Sequence, residues 1–210
     1  MNNYSLKMSI LTRNASRILN FLLRARELHN INQISRKLRL SVGSVHKILK
    51  NLEERDVVRG KELGNAIYYN LNLDNSEAIK LLELILIDEK NGLMAENKTA
   101  RVYALDLKKY NAKCIILFGS IIDKAEEAKD VDVLYIVRSK KQIKEVNNFC
   151  LEISKIRTKK INPLIMLEQD AMNNLKNQNK AMIDIFKNGV VLNGEEVFIK
   201  IAKNAYQKQI

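Results

Sequence analysis

The sequence predicts a two-domain α+β protein: three helices and a β-ribbon at the N-terminus, then an α/β domain on a small mixed sheet. Three observations carry this. Between Asn14 and Leu71, helical apolar spacing occurs three times and is followed by two short strand patterns around Gly64-Asn65. From residue 94 onward, apolar runs alternate with helical patterns, the order of an α/β sheet. Charge divides along the same line: residues 1–73 carry 13 Lys/Arg against 5 Asp/Glu, a net of +8, and residues 74–210 carry 23 against 19, a net of +4. The basic first third points to a polyanion partner there. A general lysine richness of the chain is the competing explanation.

A length of 210 residues leaves room for one large domain or two small ones. The single proline and seven glycines exclude a Pro/Gly-rich linker. No run approaches the ~18 apolar residues of a membrane span. The start "MNNYSLKMSILTRNAS" lacks the apolar core and cleavage site of a signal peptide, so a cytoplasmic protein is expected. Cys114 and Cys150 sit in apolar contexts and read as small core residues. With His29 and His46 they do not make a zinc site.

Taken in order, Ile18, Leu19, Leu22, Leu23 and Leu28 recur at helical spacing between Asn14 and Asn30. "INQISRKLRL" sets Ile31, Ile34, Leu38 and Leu40 on one side. "SVGSVHKILKNLEERDVV" opens on Ser41 as N-cap and buries Val45, Ile48, Leu49 and Leu52. The opposite face of this third helix presents Gly43, Ser44, His46, Lys47, Lys50 and Asn51. Small and hydrogen-bonding groups near a helix N-terminus suit entry into a major groove, with lysines reaching phosphates. "VVRGKELGNAIYYNLN" reads as strand, turn and strand, a ribbon with Arg59 and Lys61 near its tip.

The run "INQISRKLRLSVGSVHKILKNLEERDVVRGKELGNAIYYNLNL" resembles the winged helix-turn-helix domains of bacterial and archaeal transcription regulators. The spacing from Ile34 through Leu38, Ser41, Val45, Leu49 and Leu52 to Val57-Val58 carries the resemblance, which spans roughly residues 13–73. It implies binding of double-stranded DNA, through Ser41, Gly43, Ser44, His46, Lys47, Lys50, Asn51, Arg59 and Lys61, and a homodimer. Winged helices also serve as protein-docking modules, which is the alternative. The next segment, 74–93, reads as a connecting helix with Asn75 or Ser76 as cap and a stripe at Ile79, Leu82, Ile85 and Leu86. It either dimerises or bridges two cores. "NGL" at 91–93 marks the expected boundary.

From 94 the pattern is helix (94–110), strand (113–118), a Gly-Ser pair, helix, strand (131–138), helix (140–156), strand (161–167) and helices to the end. The first strand ends in Phe118-Gly119-Ser120. A glycine there lets backbone approach a phosphate, and the following amides and the Ser120 hydroxyl can donate to an anion. Asp130 and Asp132 alternate with Val131 and Val133, so both acids share one face. Such a pair needs a base or a divalent cation, and Mg²⁺ fits.

A Gly-Ser strand end followed by Asp-x-Asp in the next strand resembles the nucleotidyltransferase superfamily that includes DNA polymerase beta, and its minimal members most of all. "MIDIFKNGVVLNGEEVF" is similar to the family's closing segment, so the resemblance spans roughly 94–205. It implies that Gly119 and Ser120 hold the triphosphate of ATP or another nucleoside triphosphate. It also implies that Asp130 and Asp132 are catalytic and bind Mg²⁺. The chain departs from the family in three places. The third carboxylate expected on the next strand falls near Asn162 or Pro163, and Asn cannot act as a base. Glu168 and Asp170 lie beyond that strand. The turn reads "IIDKAEEA" in place of Ala-x-Gly, and Lys129 stands beside Asp130, where it could neutralise the acids.

The expected function is a DNA-binding transcription regulator whose nucleotidyltransferase-like domain holds nucleotide with Mg²⁺ but is catalytically weak or inactive. The alternative is an active enzyme transferring AMP from ATP to a protein or RNA hydroxyl. Minimal nucleotidyltransferases often act as antitoxins, so that reading implies a toxin partner. A purely structural or adaptor role is the third.

Overall fold

The computed structural model describes residues 11–25 and 27–206. Most of the stretch read above for a signal peptide, residues 1–10, lies outside the described residues. The chain divides into two compact units between residues 81 and 82.

In the first unit, Thr12 caps helix α1 (Arg13–Arg24), its hydroxyl accepting from the Ala15 amide at 3.2 Å. α1 buries Ala15, Ile18, Leu19, Leu22 and Leu23. The helical pattern expected to continue to Asn30 stops earlier, because Ala25 turns to extended backbone (ψ 131°). Leu28 therefore lies off the helix, and His29–Asn30 forms a short strand, β1. Asn30 then caps α2 (Ile31–Leu38) in a reciprocal box: its side chain accepts from the Gln33 amide at 3.0 Å, and the Gln33 side chain accepts from the Asn30 amide at 2.9 Å. Arg39 leaves α2 in the left-handed region (φ 53°), and Ser41 starts α3 (Val42–Glu54) by accepting from the Ser44 amide at 3.2 Å.

α3 buries Val45, Leu49 and Leu52 almost completely, each contributing about 1.5–3 kcal/mol of apolar burial. Ser41→Ala removes the cap and is expected to destabilise this unit by about 1 kcal/mol, read as a lowered urea midpoint at unchanged slope.

Strands β2 (Val58–Leu63) and β3 (Ala66–Leu71) pair antiparallel around the Gly64-Asn65 turn, and β1 adds to β3, giving the order β1-β3-β2. Arg59 pairs with Asn70 and Lys61 with Tyr68. Arg59 is therefore at the base of the ribbon and Lys61 at its middle, not near the tip; Leu63 and Ala66 flank the turn instead. Helix α4 (Ser76–Glu96) follows and runs unbroken through Asn91-Gly92-Leu93. One glycine costs roughly 1 kcal/mol in a helix interior, too little to stop a helix of this length. The break comes at Asn97, whose side chain accepts from the Ala100 amide at 2.8 Å.

The second unit continues with α5 (Lys98–Leu107), β4 (Cys114–Phe118), the single turn α6 (Ser120–Asp123), β5 (Asp130–Val137) and α7 (Lys141–Ile156). It ends with β6 (Lys160–Leu167), α8 (Glu168–Lys176), α9 (Lys180–Asn188), β7 (Val190–Asn193) and α10 (Glu195–Tyr206). The sheet order is β6-β5-β4-β7; β5 runs parallel to β6, and the other two pairings are antiparallel. The sheet is small and mixed, in keeping with the fold class expected for this domain. Val131, Val133, Tyr135 and Val137 project into one core with Ala104 and Leu107 of α5 and Val146 and Cys150 of α7. Strand alternation sends Asp130 and Asp132 to the other face. Cys114 and Cys150 are free and buried.

Two ion-pair clusters tie this unit together. Asp106, 7% exposed at its side chain, receives Arg157 and Lys109, each at 2.7 Å. Glu168 receives Lys113 at 2.7 Å and Lys200 at 2.6 Å. Burial alone would raise the Asp106 carboxyl, but its bonds to Lys109 and Arg157 bring it below its ordinary 3.8. Bonds to Lys113 and Lys200 lower Glu168 from its ordinary 4.5. Carboxyls depressed in the folded state contribute stability above their unfolded values and lose it as pH falls through their folded ones. Urea midpoints are therefore expected to fall between about pH 5 and pH 2, and less so in Asp106→Asn.

Candidate functional site

In the first unit the candidate surface is the exposed face of α3. Gly43, His46, Lys47, Lys50 and Asn51 are exposed, and Ser44 is half-buried. Ser41 is exposed, but its hydroxyl is committed to the cap. A Cβ at Gly43 would meet nothing within 4 Å, so packing within the unit does not require glycine there. Lys47, Lys50 and Lys61 have no ion-pair partner among the described residues, so their charges are available. Arg59 is different: its guanidinium is paired with Asp56 at 3.2 Å. Sequence reasoning missed three neighbours. Lys37 lies in the last turn of α2 and Arg39 follows the helix, both exposed. Val42, the first residue of α3, is 50% exposed and apolar. The signal for all three was their place around the turn between α2 and α3.

In the second unit β4 delivers its end to the site. Phe118 pairs with Asp132 across the sheet, and the chain then turns at Gly119 (φ 76°, ψ −164°). A Cβ on Gly119 would fall on the Asp132 carboxylate, so the glycine serves twice: it permits the positive φ and leaves room for that carboxylate. Ser120 is exposed and begins α6. Because α6 is one turn long, its helix dipole adds little, and the amides and the Ser120 hydroxyl are what it offers an anion. The turn is anchored by the Asn97 side chain, which donates to the carbonyls of Ile121 (3.1 Å) and Ile122 (3.3 Å).

The segment that replaces Ala-x-Gly is held on both sides. Thr99 donates to Glu126 at 2.8 Å, and the Lys159 ammonium donates to the Ala128 carbonyl at 2.6 Å.

Asp130 and Asp132 both start β5 and are half-buried, their Cα atoms about 6.6 Å apart at strand rise. No cation is ion-paired to either among the described residues, and Lys129 is exposed. Lys129, which by its place in the sequence could neutralise the acids, makes no ion pair with either among the described residues. Burial raises the Asp132 carboxyl, the neighbouring Asp130 raises it further, and Asn162 works against both. The parallel register sets Asn162 opposite Asp132, and the Asn162 amide donates to Asp130 Oδ2 at 2.7 Å. Lys160 stands opposite Asp130, exposed, on the same face. Sequence reasoning did not single out Lys160, since only the register identifies it. Glu168 and Asp170 start α8, beyond the opposite end of β6, where Leu167 pairs with Val137. Neither reaches the acids' end of the sheet as a third carboxylate.

Mg²⁺ binds through one or two carboxylates and fills its shell with phosphate oxygens and water. Two carboxylates on one face, with no cation ion-paired to either among the described residues, fit that demand. When bound, a Mg²⁺–nucleotide supplies a polarised phosphoryl group. Asp130 and Asp132 are the residues that would hold the metal, and the Gly119-Ser120 amides and the Ser120 hydroxyl those that would face phosphate. Asn162 can orient a ligand but cannot take a proton from an acceptor hydroxyl.

Residues 11–64 match the MarR family, and residues 105–196 match the family described as polymerase beta, nucleotidyltransferase. Among solved structures, a mutant of ZitR from Lactococcus lactis is 16% identical, covering 74% of this chain and 80% of that one with a TM-score of 0.32. The adhesin competence repressor AdcR from Streptococcus pyogenes is 17% identical, covering 70% and 81%, with a TM-score of 0.30. No curated protein matches. Among the described residues no helix is long and apolar enough to cross a membrane. The first unit thus carries a match to the MarR family and the second a match to the nucleotidyltransferase family.

Proposed function

We propose that the protein is a DNA-binding transcription regulator whose second domain holds a Mg²⁺–nucleotide without efficient transfer. DNA entry through α3 is supported by the unpaired Lys47 and Lys50 on its exposed face. Gly43 leaves room for backbone to approach a phosphate, and Val42 offers an apolar contact to a thymine methyl. Lys37 and Arg39 extend the phosphate-binding surface. A homodimer would place two such helices on half-sites about one helical turn apart.

The observation that carries the weak-catalysis half is Asn162 opposite Asp132, where an acid would assist deprotonation of the acceptor. Mobility shift of the gene's own upstream duplex, with and without ATP and Mg²⁺, tests the reading. Salt-sensitive binding supports it, and no binding to any duplex at low salt sinks it. The competing enzyme reading, AMP transfer to a protein or RNA hydroxyl by an antitoxin acting on its toxin, draws support from the uncompensated acid pair. It requires incorporation of labelled AMP that disappears in Asp130→Ala/Asp132→Ala.

A further inference from the structure

We infer that the nucleotide site takes one divalent cation per nucleotide, and that Asn162 sets this limit. The inference rests on the nucleotide-holding reading above. A two-cation site needs carboxylates to bridge ions only about 3.5–4 Å apart and to offset their mutual repulsion. Here Asp130 and Asp132 are the two carboxylates that β5 brings to this face, and one of their oxygens, Asp130 Oδ2, already accepts from an amide donor. Asn162 occupies the place on β6 opposite Asp132, and its amide N–H groups point at Asp130 Oδ2, 2.7 Å away. An N–H donor repels a cation. To accept one as neighbour, Asn162 must turn its amide so that the neutral carbonyl oxygen faces inward.

Lys160 adds to the restriction. It stands on the same face opposite Asp130, so its ammonium opposes a second positive ion and favours phosphate oxygens instead. Glu168 does not add to the two carboxylates: it is held by Lys113 and Lys200 beyond the far end of β6. Among the described residues no group of three or more His, Cys, Asp and Glu is placed to hold a metal.

The test is equilibrium dialysis of the full chain against Mn²⁺ and a non-hydrolysable ATP analogue, counting both bound species, for wild type and Asn162→Asp. One Mn²⁺ per bound nucleotide is expected in the wild type and two in Asn162→Asp. Two in the wild type would overturn the inference while leaving nucleotide binding intact. One in both proteins, with the variant folded by circular dichroism, would remove Asn162 as the cause. A wild type that retains no nucleotide would sink the nucleotide reading itself, and this inference with it. The wild-type count decides the limit even where the variant fails to fold.

Discussion

Gly194→Ala is expected to lower the melting temperature of the second unit by roughly 10 °C. Gly194 links β7 to α10 at φ 81°, and its carbonyl accepts the Phe198 amide at 3.0 Å. A Cβ there would fall on the Lys113 carbonyl oxygen and lie 2.7 Å from the Cys114 Cα. Both are backbone atoms at the entry to β4, so neither can rotate away. Left-handed geometry costs an alanine about 1–2 kcal/mol, and forced overpacking adds about 1–3 kcal/mol. The sum, about 3 kcal/mol, is a large fraction of a domain's stability. Thermal unfolding followed by circular dichroism reads it; a shift under about 2 °C would show that β4 and β7 slide apart at little cost.

Lys47→Ala/Lys50→Ala is expected to weaken duplex binding about 10- to 100-fold while leaving the melting temperature nearly unchanged. Both lysines are exposed on α3, and their loss touches none of the buried stripe formed by Val45, Leu49 and Leu52. If both reach phosphates, the slope of log affinity against log salt decreases by about 2. Titrations at several salt concentrations separate this from a base contact, which would alter preference between duplexes and leave the slope in place. Arg59→Ala is expected to do less, since its guanidinium is already paired with Asp56.

Much of the architecture was legible in the sequence because it follows from periodicity and local chemistry. The spacing of Val45, Leu49 and Leu52 with Ser41 ahead of them specifies α3 and its start without any tertiary information. The alternation of Val131 and Val133 with Asp130 and Asp132 likewise fixed which side chains share a face. What failed depended on partners far along the chain. Leu28 continues a helical pattern, yet β3 draws His29–Asn30 into a sheet, and no local signal announces that pairing. Asn91-Gly92-Leu93 looks like a break, yet α4 tolerates it.

The site shows the same division. Gly119 and the two acids were singled out as candidates from spacing, but the packing of the Asp132 carboxylate against Gly119 requires the β4–β5 register. The position of the missing acid was narrowed to Asn162 or Pro163, and the β5–β6 register places Asn162 opposite Asp132. Lys160 became visible only through that register. Lys129, adjacent in sequence to Asp130, lies just before β5, is exposed and has no ion pair with it among the described residues.

As proposed above, the second unit holds a Mg²⁺–nucleotide at Asp130 and Asp132 without efficient turnover. Calorimetric titration of ATP with Mg²⁺ into the full chain tests it most directly, because binding heat and the sustained heat of turnover appear in one record. Saturable binding that vanishes in Asp130→Ala/Asp132→Ala, with the baseline returning after each injection, is the expected result. No saturable heat in the wild type, or a sustained heat of reaction that the double substitution removes, would contradict it.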